Sequence, residues 1–449
     1  MSHHDLAGNA VTGASADALE SFEAALHQLR CYIGDPVASV DDAITRSPGM
    51  PMAHVLKAWL NLLGTEPGGL DVARQSLDAA RSLRGNERES AHMDAIEAVL
   101  AGRWRHAGRI LHDVSSAWPR DALALQAGHQ IDFFTGDSRM LRDRIAGAFP
   151  AWDGSIPGYH AMLSMHAFGL EETGDYAAAE SQGRRSVELQ PRDGWGWHAV
   201  AHVMEMQDRA EDGIAWLGRN SATWSDESFF AVHNWWHLAL FHLEQGDIEE
   251  VLRLFDGPIH GQRSTVVLDM IDATAMLWRL RLRGVDVGSR WDSVADGWEP
   301  FATAGNYAFN DCHALMAFIA AGRGRSKAAV LDSLESSAAV GTADVGLFAR
   351  EVGLPFARAL DAFDRGDWSK AVEELRAVRS MSHRFGGSHA QRDIIDLTLI
   401  EAASKGGMAA LARTLVNERA ARRPRSPWTR ALALRALPAG CAASACRPA

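Results

Sequence analysis

The stretch of sequence that decides the fold runs Gly169-Leu170-Glu171-Glu172-Thr173-Gly174-Asp175-Tyr176-Ala177-Ala178-Ala179-Glu180, and its pattern continues to Val187-Glu188-Leu189-Gln190-Pro191. It predicts one helix that ends in a Gly-Asp turn and an alanine-rich second helix that ends before a proline. The small alanine side chains let two antiparallel helices approach closely. We therefore expect a helical hairpin at this point in the chain.

The same turn signal recurs along the whole chain. Gly-Asp pairs begin at residues 136, 246 and 366, a related Gly-Arg-Trp turn begins at 102, and weaker turns fall at 64, 207, 284, 322 and 406. Taken in order, neighbouring turns are separated by 33 to 44 residues. The period of a tetratricopeptide repeat is about 34 residues, so the spacing indicates a degenerate array with slightly longer helices.

Signals for β-strands are nearly absent, because no sustained alternation of β-branched or aromatic residues with polar ones occurs. We therefore predict an all-α fold, a tetratricopeptide-like α-solenoid that could close around a central groove. The expected boundaries are a flexible N-terminus at 1–19, one continuous repeat domain at 20–425, and a low-complexity tail at 426–449 that contains Cys441 and Cys446.

The net charge, the apolar runs and the cysteine spacing limit which partners and which cellular compartment we expect for the protein. The 449 residues carry a formal charge of −12, the wrong sign for a general nucleic-acid binder. No apolar run is long enough to cross a bilayer, and the N-terminal residues lack the features of a signal peptide. The four cysteines form no Cys-x-x-Cys pair. We expect a cytoplasmic protein with no membrane or nucleic-acid partner, and a homo-oligomer remains open.

Four motifs follow one another in the chain and carry a family resemblance. They are Asp193-Gly194-Trp195-Gly196-Trp197-His198-Ala199-Val200-Ala201-His202-Val203-Met204-Glu205-Met206, His233-Asn234-Trp235-Trp236-His237, Asn310-Asp311-Cys312-His313 and Gly386-Gly387-Ser388-His389-Ala390-Gln391-Arg392-Asp393. Together they resemble the tetratricopeptide repeat protein 38 family over roughly residues 20 to 425. The resemblance implies an all-helical repeat fold and implies no particular reaction.

A band of histidines is the most distinctive chemical feature of the sequence. His198 and His202 are four residues apart, so both project from one helix face, with Glu205 and Trp195 on the same face. His233 and His237 repeat this spacing on a later helix. The turn positions place His198, His237 and His313 nine residues before their turns, which predicts a ladder of imidazoles on groove-lining helices.

Three interpretations of this band stay open. Two histidine pairs, His198 with His202 and His233 with His237, could bind a divalent transition metal. Alternatively, imidazole titrates near neutrality, so His198, His202, Glu205 and His237 could carry acid–base catalysis. The third interpretation is structural, with all rings hydrogen-bonded in the core. The His-Glu-x-x-His signature of metalloproteases is absent.

Two further motifs supply candidate binding residues. In the Gly386-Gly387-Ser388 loop, Ser388 and Gln391 fit a capping box, while Arg392 could clamp a carboxylate or phosphate. Plain helix capping, with Arg392 paired to Asp393, is the competing interpretation. In the Asn310–His313 motif, Cys312 and His313 point in different directions, which favours Cys312 as a core residue.

Two functions from different classes are compatible with these residues. The first is a binding protein that takes a small molecule or peptide in a groove lined by Trp195, His233, Asn234, Asn310, His313, Gln391 and Arg392. The second is an enzyme, a hydrolase or lyase with or without a metal, that uses the same histidine and glutamate cluster. Repeat folds favour the first, although fold is weak evidence for function.

Overall fold

The structure is a computed structural model that describes residues 3–340 and 342–435. These residues form a short antiparallel hairpin, β1 His3–His4 with β2 Ala10–Val11, followed by helices. The first nine helices are α1 Ala16–Cys31, α2 Pro36–Arg46, α3 Pro51–Leu62, α4 Pro67–Arg81, α5 Glu87–Leu100, α6 Trp104–Ala117, α7 Ala122–Phe134, α8 Ser138–Ala148 and α9 Tyr159–Glu172. The all-α prediction is confirmed at this level.

The remaining described helices complete the chain. The next eight are α10 Tyr176–Leu189, α11 Gly194–Met206, α12 Ala210–Gly218, α13 Ala222–Ser225, α14 Ala231–Gln245, α15 Ile248–Leu254, α16 Val267–Leu282 and α17 Arg290–Trp298. The last eight are α18 Ala308–Ala320, α19 Gly324–Ala339, α20 Asp344–Phe348, α21 Leu354–Asp364, α22 Trp368–Val378, α23 His389–Lys405, α24 Ala409–Arg422 and α25 Pro427–Arg435.

All ten turn positions expected from the sequence lie between consecutive helices. The Gly-Asp pair separates two helices because the glycine ends the first helix and the aspartate caps the second. Gly174 ends α9 with a φ of +88°, which a glycine adopts without a steric penalty. Asp175 then caps α10, since its side chain accepts a hydrogen bond from the backbone N–H of Ala178. Gly246 and Asp247 repeat this division of roles between α14 and α15.

Consecutive helices pack against each other along the chain, as shown by α1 with α2, α3 with α4, α9 with α10, and α21 with α22. Such an arrangement is consistent with an α-solenoid. Later helices also return to the first half of the chain. Tyr307 donates a hydrogen bond to the Phe134 carbonyl (3.0 Å), and Asn310 donates one to the Thr65 hydroxyl (3.1 Å).

The centre of the molecule is packed rather than open. The helix α11 contacts α9, α10, α12, α14 and α23, and α16 contacts α14, α17, α18 and α23. Both α11 and α16 are buried on nearly all sides, as expected for helices that lack a polar face. The expected open groove lined by a ladder of imidazoles is therefore wrong. His198, His237 and His313 are all buried within the core.

The N-terminal prediction also needs correction. The expected flexible segment 1–19 contains the β1–β2 hairpin, and α1 already begins at Ala16. Val11 is buried in the core, and the Thr12 N–H donates to the Glu89 carboxylate (2.8 Å). An apolar anchor and a paired backbone donor hold the segment against α5. In the expected tail, residues 427–435 form α25, and Cys441 and Cys446 lie outside the described residues.

Among the described helices, none is both long enough and apolar enough to cross a membrane.

Close helix approach depends on glycine at one point that the sequence already marked. A Cβ atom on Gly169 of α9 would lie 2.5 Å from the backbone nitrogen of Arg142 on α8. Gly147, also on α8, is exposed and has no neighbouring atom within 4 Å of such a Cβ. We expect Gly169→Ala to lower the free energy of unfolding by about 1–3 kcal/mol, because α8 and α9 must separate.

The matched control is Gly147→Ala, which we expect to leave stability unchanged or to raise it by up to about 1 kcal/mol through helix propensity. Urea unfolding followed by circular dichroism measures both variants. Equal stability of the two variants would contradict close packing of α8 on α9 at Gly169.

Candidate functional site

Four imidazoles meet where α11 and α14 pack together. Because His198 and His202 are one turn apart on α11, and His233 and His237 one turn apart on α14, each pair faces the other helix. One nitrogen of each ring lies within 4.8 Å of a nitrogen of every other ring. The Nε2 atoms of His198 and His233 are 3.1 Å apart. We call these four residues the histidine cluster.

The histidine cluster is largely buried, and most of its ring nitrogens have no hydrogen-bond partner. His202 and His237 have no exposed surface, and His198 is 2% exposed. Both nitrogens of His202, both of His237 and the Nδ1 of His198 have no hydrogen-bond partner. Burial, followed by repulsion from neighbouring imidazoles, holds the pKa of His198, His202 and His237 well below the usual value for histidine. These rings are therefore neutral and carry free lone pairs at neutral pH.

In three of the four imidazole rings, a carboxylate oxygen lies close to the Nδ1 atom. Asp272 of α16 lies 2.8 Å from His233 Nδ1, Glu205 of α11 lies 3.2 Å from His237 Nδ1, and Glu171 of α9 lies 3.5 Å from His202 Nδ1. Each approaches the Nδ1 side of its imidazole. Burial, and then the neighbouring carboxylates, raise the pKa of Glu171 well above its usual value. The cluster thus has an outer layer of acids drawn from three helices.

A pocket of about 420 Å³ opens onto the histidine cluster. His198 and His233 are part of its wall, together with the aromatic rings of Tyr32, Trp195 and Phe230. Trp195 contacts His198 at a ring-centroid distance of 4.7 Å, and Tyr32 stacks on Trp195 at 5.6 Å. The two imidazoles can therefore reach a molecule that sits in this pocket.

Several predicted site residues are brought together here. His198, His202, His233, His237 and Glu205 form one centre, and Trp195 packs against it as its helix register predicts. Glu205 acts on the neighbouring helix, however. It faces His237 of α14 and also accepts a hydrogen bond from Arg423 (3.2 Å).

Three other predicted binding residues lie away from the pocket wall and the cluster. Asn234 donates a hydrogen bond to the Gly194 carbonyl (3.1 Å), which ties α14 to the start of α11. Asn310 donates to Thr65, and the His313 Nδ1 lies 2.8 Å from the Phe309 carbonyl of its own helix. Each side chain is buried in packing between helices, and none of the three lines the pocket, so their contact with a ligand stays a prediction. Cys312 is a buried core residue, as expected.

The Gly386-Gly387 loop serves mainly to start a helix. The Ser388–Gln391 capping box is present, and Gln391 also lies on the pocket wall. Arg392 donates a hydrogen bond to the Gly387 carbonyl and lies 3.4 Å from Glu172, so it does not face the pocket. It lies instead on the wall of a second pocket, together with Arg379, Arg419 and Arg423, so the anion clamp stays a prediction and is separate from the histidine cluster. Arg392 also does not pair with Asp393, which binds Arg419 instead.

Sequence reasoning missed the acids behind the rings and much of the pocket wall. Asp269 and Asp272 interrupt the apolar run at the start of α16, and acids within such a run are a signal that could have found Asp272. Glu171 lies three residues before the Gly174 turn and is 1% exposed, and no sequence pattern marks it as buried. Tyr32 directly follows α1, and Gln126 and Gln130 lie on α7, and no local pattern links them to α11.

A second group of side chains lies beside α1. Cys31 Sγ lies 3.9 Å from His160 Nε2, and the His160 Nδ1 is 2.8 Å from Asp193. The order thiol, imidazole, carboxylate resembles a nucleophile with its base. Burial, however, raises the pKa of the Cys31 thiol to about 12, so the thiol is protonated and unreactive at neutral pH. Asp193 also caps α11 through the Gly196 N–H, which explains its position.

A comparison of the chain with models of known protein families finds no match.

The buried His313 makes stability depend on pH. Burial lowers its pKa to about 4, whereas an unfolded histidine has a pKa of about 6.5. The unfolded chain therefore binds the proton first, and stability is lost as pH falls from about 6.5 towards about 4. Between pH 7 and pH 5, we expect His313 to account for a loss of roughly 2 kcal/mol, at about 1.36 kcal/mol per pKa unit.

Urea unfolding at the two pH values tests this, with His313→Gln as the comparison. Glutamine keeps a polar side chain but does not titrate, so we expect the variant to lose roughly 2 kcal/mol less than the wild type over the same interval. An identical pH dependence in both proteins would contradict a buried, neutral His313.

Proposed function

We propose that this chain is a tetratricopeptide-like helical-repeat protein that binds a small apolar molecule in the pocket above the histidine cluster. The observation that carries the proposal is the pocket itself. Its volume of about 420 Å³ is within the range of small-molecule sites, roughly 300–1,000 Å³. A groove for an extended peptide would be longer and more open, so a small molecule fits better.

The mouth of the pocket supports an apolar ligand. Four large hydrophobic side chains around it are well exposed, although such residues are normally covered by packing: Val37 (37%), Phe229 (46%), Val266 (45%) and Leu268 (40%). Exposed apolar residues that gather at one opening mark binding sites more often than singly scattered ones do. The aromatic wall continues this surface inwards to the two imidazoles.

The charges around the pocket favour a neutral or cationic ligand. Asp35, Asp269 and Asp272 lie on its wall, and among the described residues that line it there is no lysine or arginine. An anionic ligand would meet these carboxylates without a compensating charge. Tyr32 and Gln130 are hydrogen-bonded to each other (2.7 Å) and supply neutral polar atoms for orientation.

The repeat architecture belongs to the same proposal. Ten helix-to-helix turns at intervals of 33 to 44 residues favour a degenerate tetratricopeptide-like array, and in four of them a glycine closes one helix and an aspartate caps the next. The motif resemblance to the tetratricopeptide repeat protein 38 family favours the same architecture. Neither observation identifies a ligand, so the pocket alone supports the binding function.

A neutral fluorescent dye such as Nile red tests the pocket directly. We expect one dye molecule to bind per chain, and Phe229→Ala to weaken its affinity by about 5- to 30-fold, from roughly 1–2 kcal/mol of lost apolar contact. Leu189→Ala is the matched control, since Leu189 is 40% exposed and lies on α10 outside the pocket. Equal affinities of the two variants would place the dye elsewhere and contradict the proposal.

An enzyme is the second candidate, and one observation favours it. Asp272, His233 and His198 form a chain of contacts of 2.8 Å and 3.1 Å that ends in the pocket. When the Nδ1–H of His233 donates to Asp272, the Nε2 of His233 holds its lone pair towards the His198 Nε2 and can accept a proton from it. A carboxylate that fixes the tautomer of an imidazole in this way is the arrangement of a general base.

Turnover of neutral apolar esters and amides tests this second candidate. In Asp272→Asn, we expect the rate to fall by about 10²-fold or more while the affinity for the neutral dye stays within about threefold. Binding of the dye without turnover of any substrate would remove the enzyme and leave the binding function.

A further inference from the structure

We propose that the histidine cluster is a binding site for one divalent transition-metal ion, with His198, His202, His233 and His237 as its ligands. The inference goes beyond the proposed ligand binding and does not depend on it. It concerns the floor of the pocket, where four imidazoles meet without enough hydrogen-bond partners.

The first argument is that the imidazole nitrogens lack hydrogen-bond partners. A histidine that serves only as packing in a core has its nitrogens paired, because buried polar atoms without partners are costly. Here five imidazole nitrogens of three buried rings have no hydrogen bond. Two of them, the Nδ1 atoms of His202 and His237, have a carboxylate oxygen nearby at 3.5 Å and 3.2 Å, which leaves three nitrogens with no partner. The side chain of Trp236, whose own N–H is also unpaired, packs against His233 and His237 and offers no acceptor. An ion that accepts lone pairs satisfies all four rings at once.

The second argument is distance. Zinc–imidazole bonds are about 2.0–2.1 Å long, so two nitrogens on one tetrahedral ion lie about 3.3 Å apart. The Nε2 atoms of His198 and His233 are already 3.1 Å apart, and the donor nitrogens of all four rings lie within 4.8 Å. Small side-chain rotations of His202 and His237 would bring their nitrogens to the same distance.

The third argument is the outer layer of carboxylates. Metal-bound imidazoles commonly donate their second N–H to a carboxylate, which fixes the tautomer and turns the other nitrogen to the ion. Asp272, Glu205 and Glu171 face the Nδ1 atoms of His233, His237 and His202 respectively. This leaves Nε2 as the ligand atom of these three rings. With the Nδ1 side of each ring turned to an acid, the Nε2 lone pairs of the three rings are available to one ion.

The donor set narrows the class of ion. Four neutral imidazoles suit Zn²⁺, Cu²⁺, Ni²⁺ or Fe²⁺, whereas Mg²⁺ and Ca²⁺ prefer oxygen ligands. The nearby carboxylates compensate the charge of a divalent ion within the core. Since His198 and His233 also line the pocket, the ion would lie within reach of a bound molecule.

Cobalt(II) is the probe for this site, because its visible absorption reports the geometry of its ligands. The full chain, expressed without a histidine tag and stripped with a chelator, is titrated with Co²⁺. We expect intense tetrahedral bands that saturate at one equivalent and that one equivalent of Zn²⁺ abolishes. We expect the double variant His202→Gln/His237→Gln to lose at least 100-fold in affinity.

His313→Gln is the matched control, because it replaces a buried histidine outside the cluster, and we expect its titration to match the wild type. Weak octahedral bands only, or equal binding by the double variant, would overturn the proposal. Should the double variant fail to fold, X-ray absorption of the zinc-loaded wild type still decides. Four nitrogen neighbours with imidazole scattering support the site, and an oxygen-dominated shell overturns it. Dye binding is measured separately on the metal-free protein. If the dye still binds, a failure of the metal site leaves the proposed pocket function intact.

Discussion

The contact between α11 and α14 brings four imidazoles together, three of them buried, and the surrounding helices supply groups that approach the ring nitrogens. Neutral imidazoles can be buried, but each carries two nitrogens that need partners. Asp272 on α16, Glu171 on α9 and Glu205 on α11 approach three of the rings. Helices from distant parts of the chain must therefore converge on one point, which explains why α11 and α16 lie in the interior.

The pocket arises where this convergence leaves a gap between the early and middle helices. Residues from α1 and α7 form one wall with Tyr32, Gln126 and Gln130, and residues of α11, α14 and α16 form the floor. In the proposed binding function, the acids near the floor would disfavour an anionic ligand. Ligand binding in this gap and metal binding beneath it are separate proposals that share the rings of His198 and His233.

Much of this could be predicted locally. The Gly-Asp turns predicted the helix boundaries correctly because their effect is confined to a few residues. Gly174 adopts a left-handed φ without a steric penalty, and Asp175 caps the next helix. The i, i+4 spacing correctly placed His198 and His202 on one face of α11, together with Trp195. It also placed His233 and His237 on one face of α14. The predicted ladder failed because it assumed an open concave surface, whereas the later helices return and cover that surface.

The sequence by itself determined the all-helical class, the positions of the turns and the pairing of histidines within each helix, since these depend on neighbours three or four residues away. Only the tertiary structure decided that the two histidine pairs face each other and that Asp272 and Glu171 lie beside them. It also decided that Asn310 and His313 are buried between helices and that Arg392 lies in a different pocket. These outcomes depend on contacts between residues that are tens to hundreds of positions apart in the chain, such as His233 with Asp272 and His389 with Glu172. No local period encodes such contacts, because they are fixed by the way successive helices stack and close on one another.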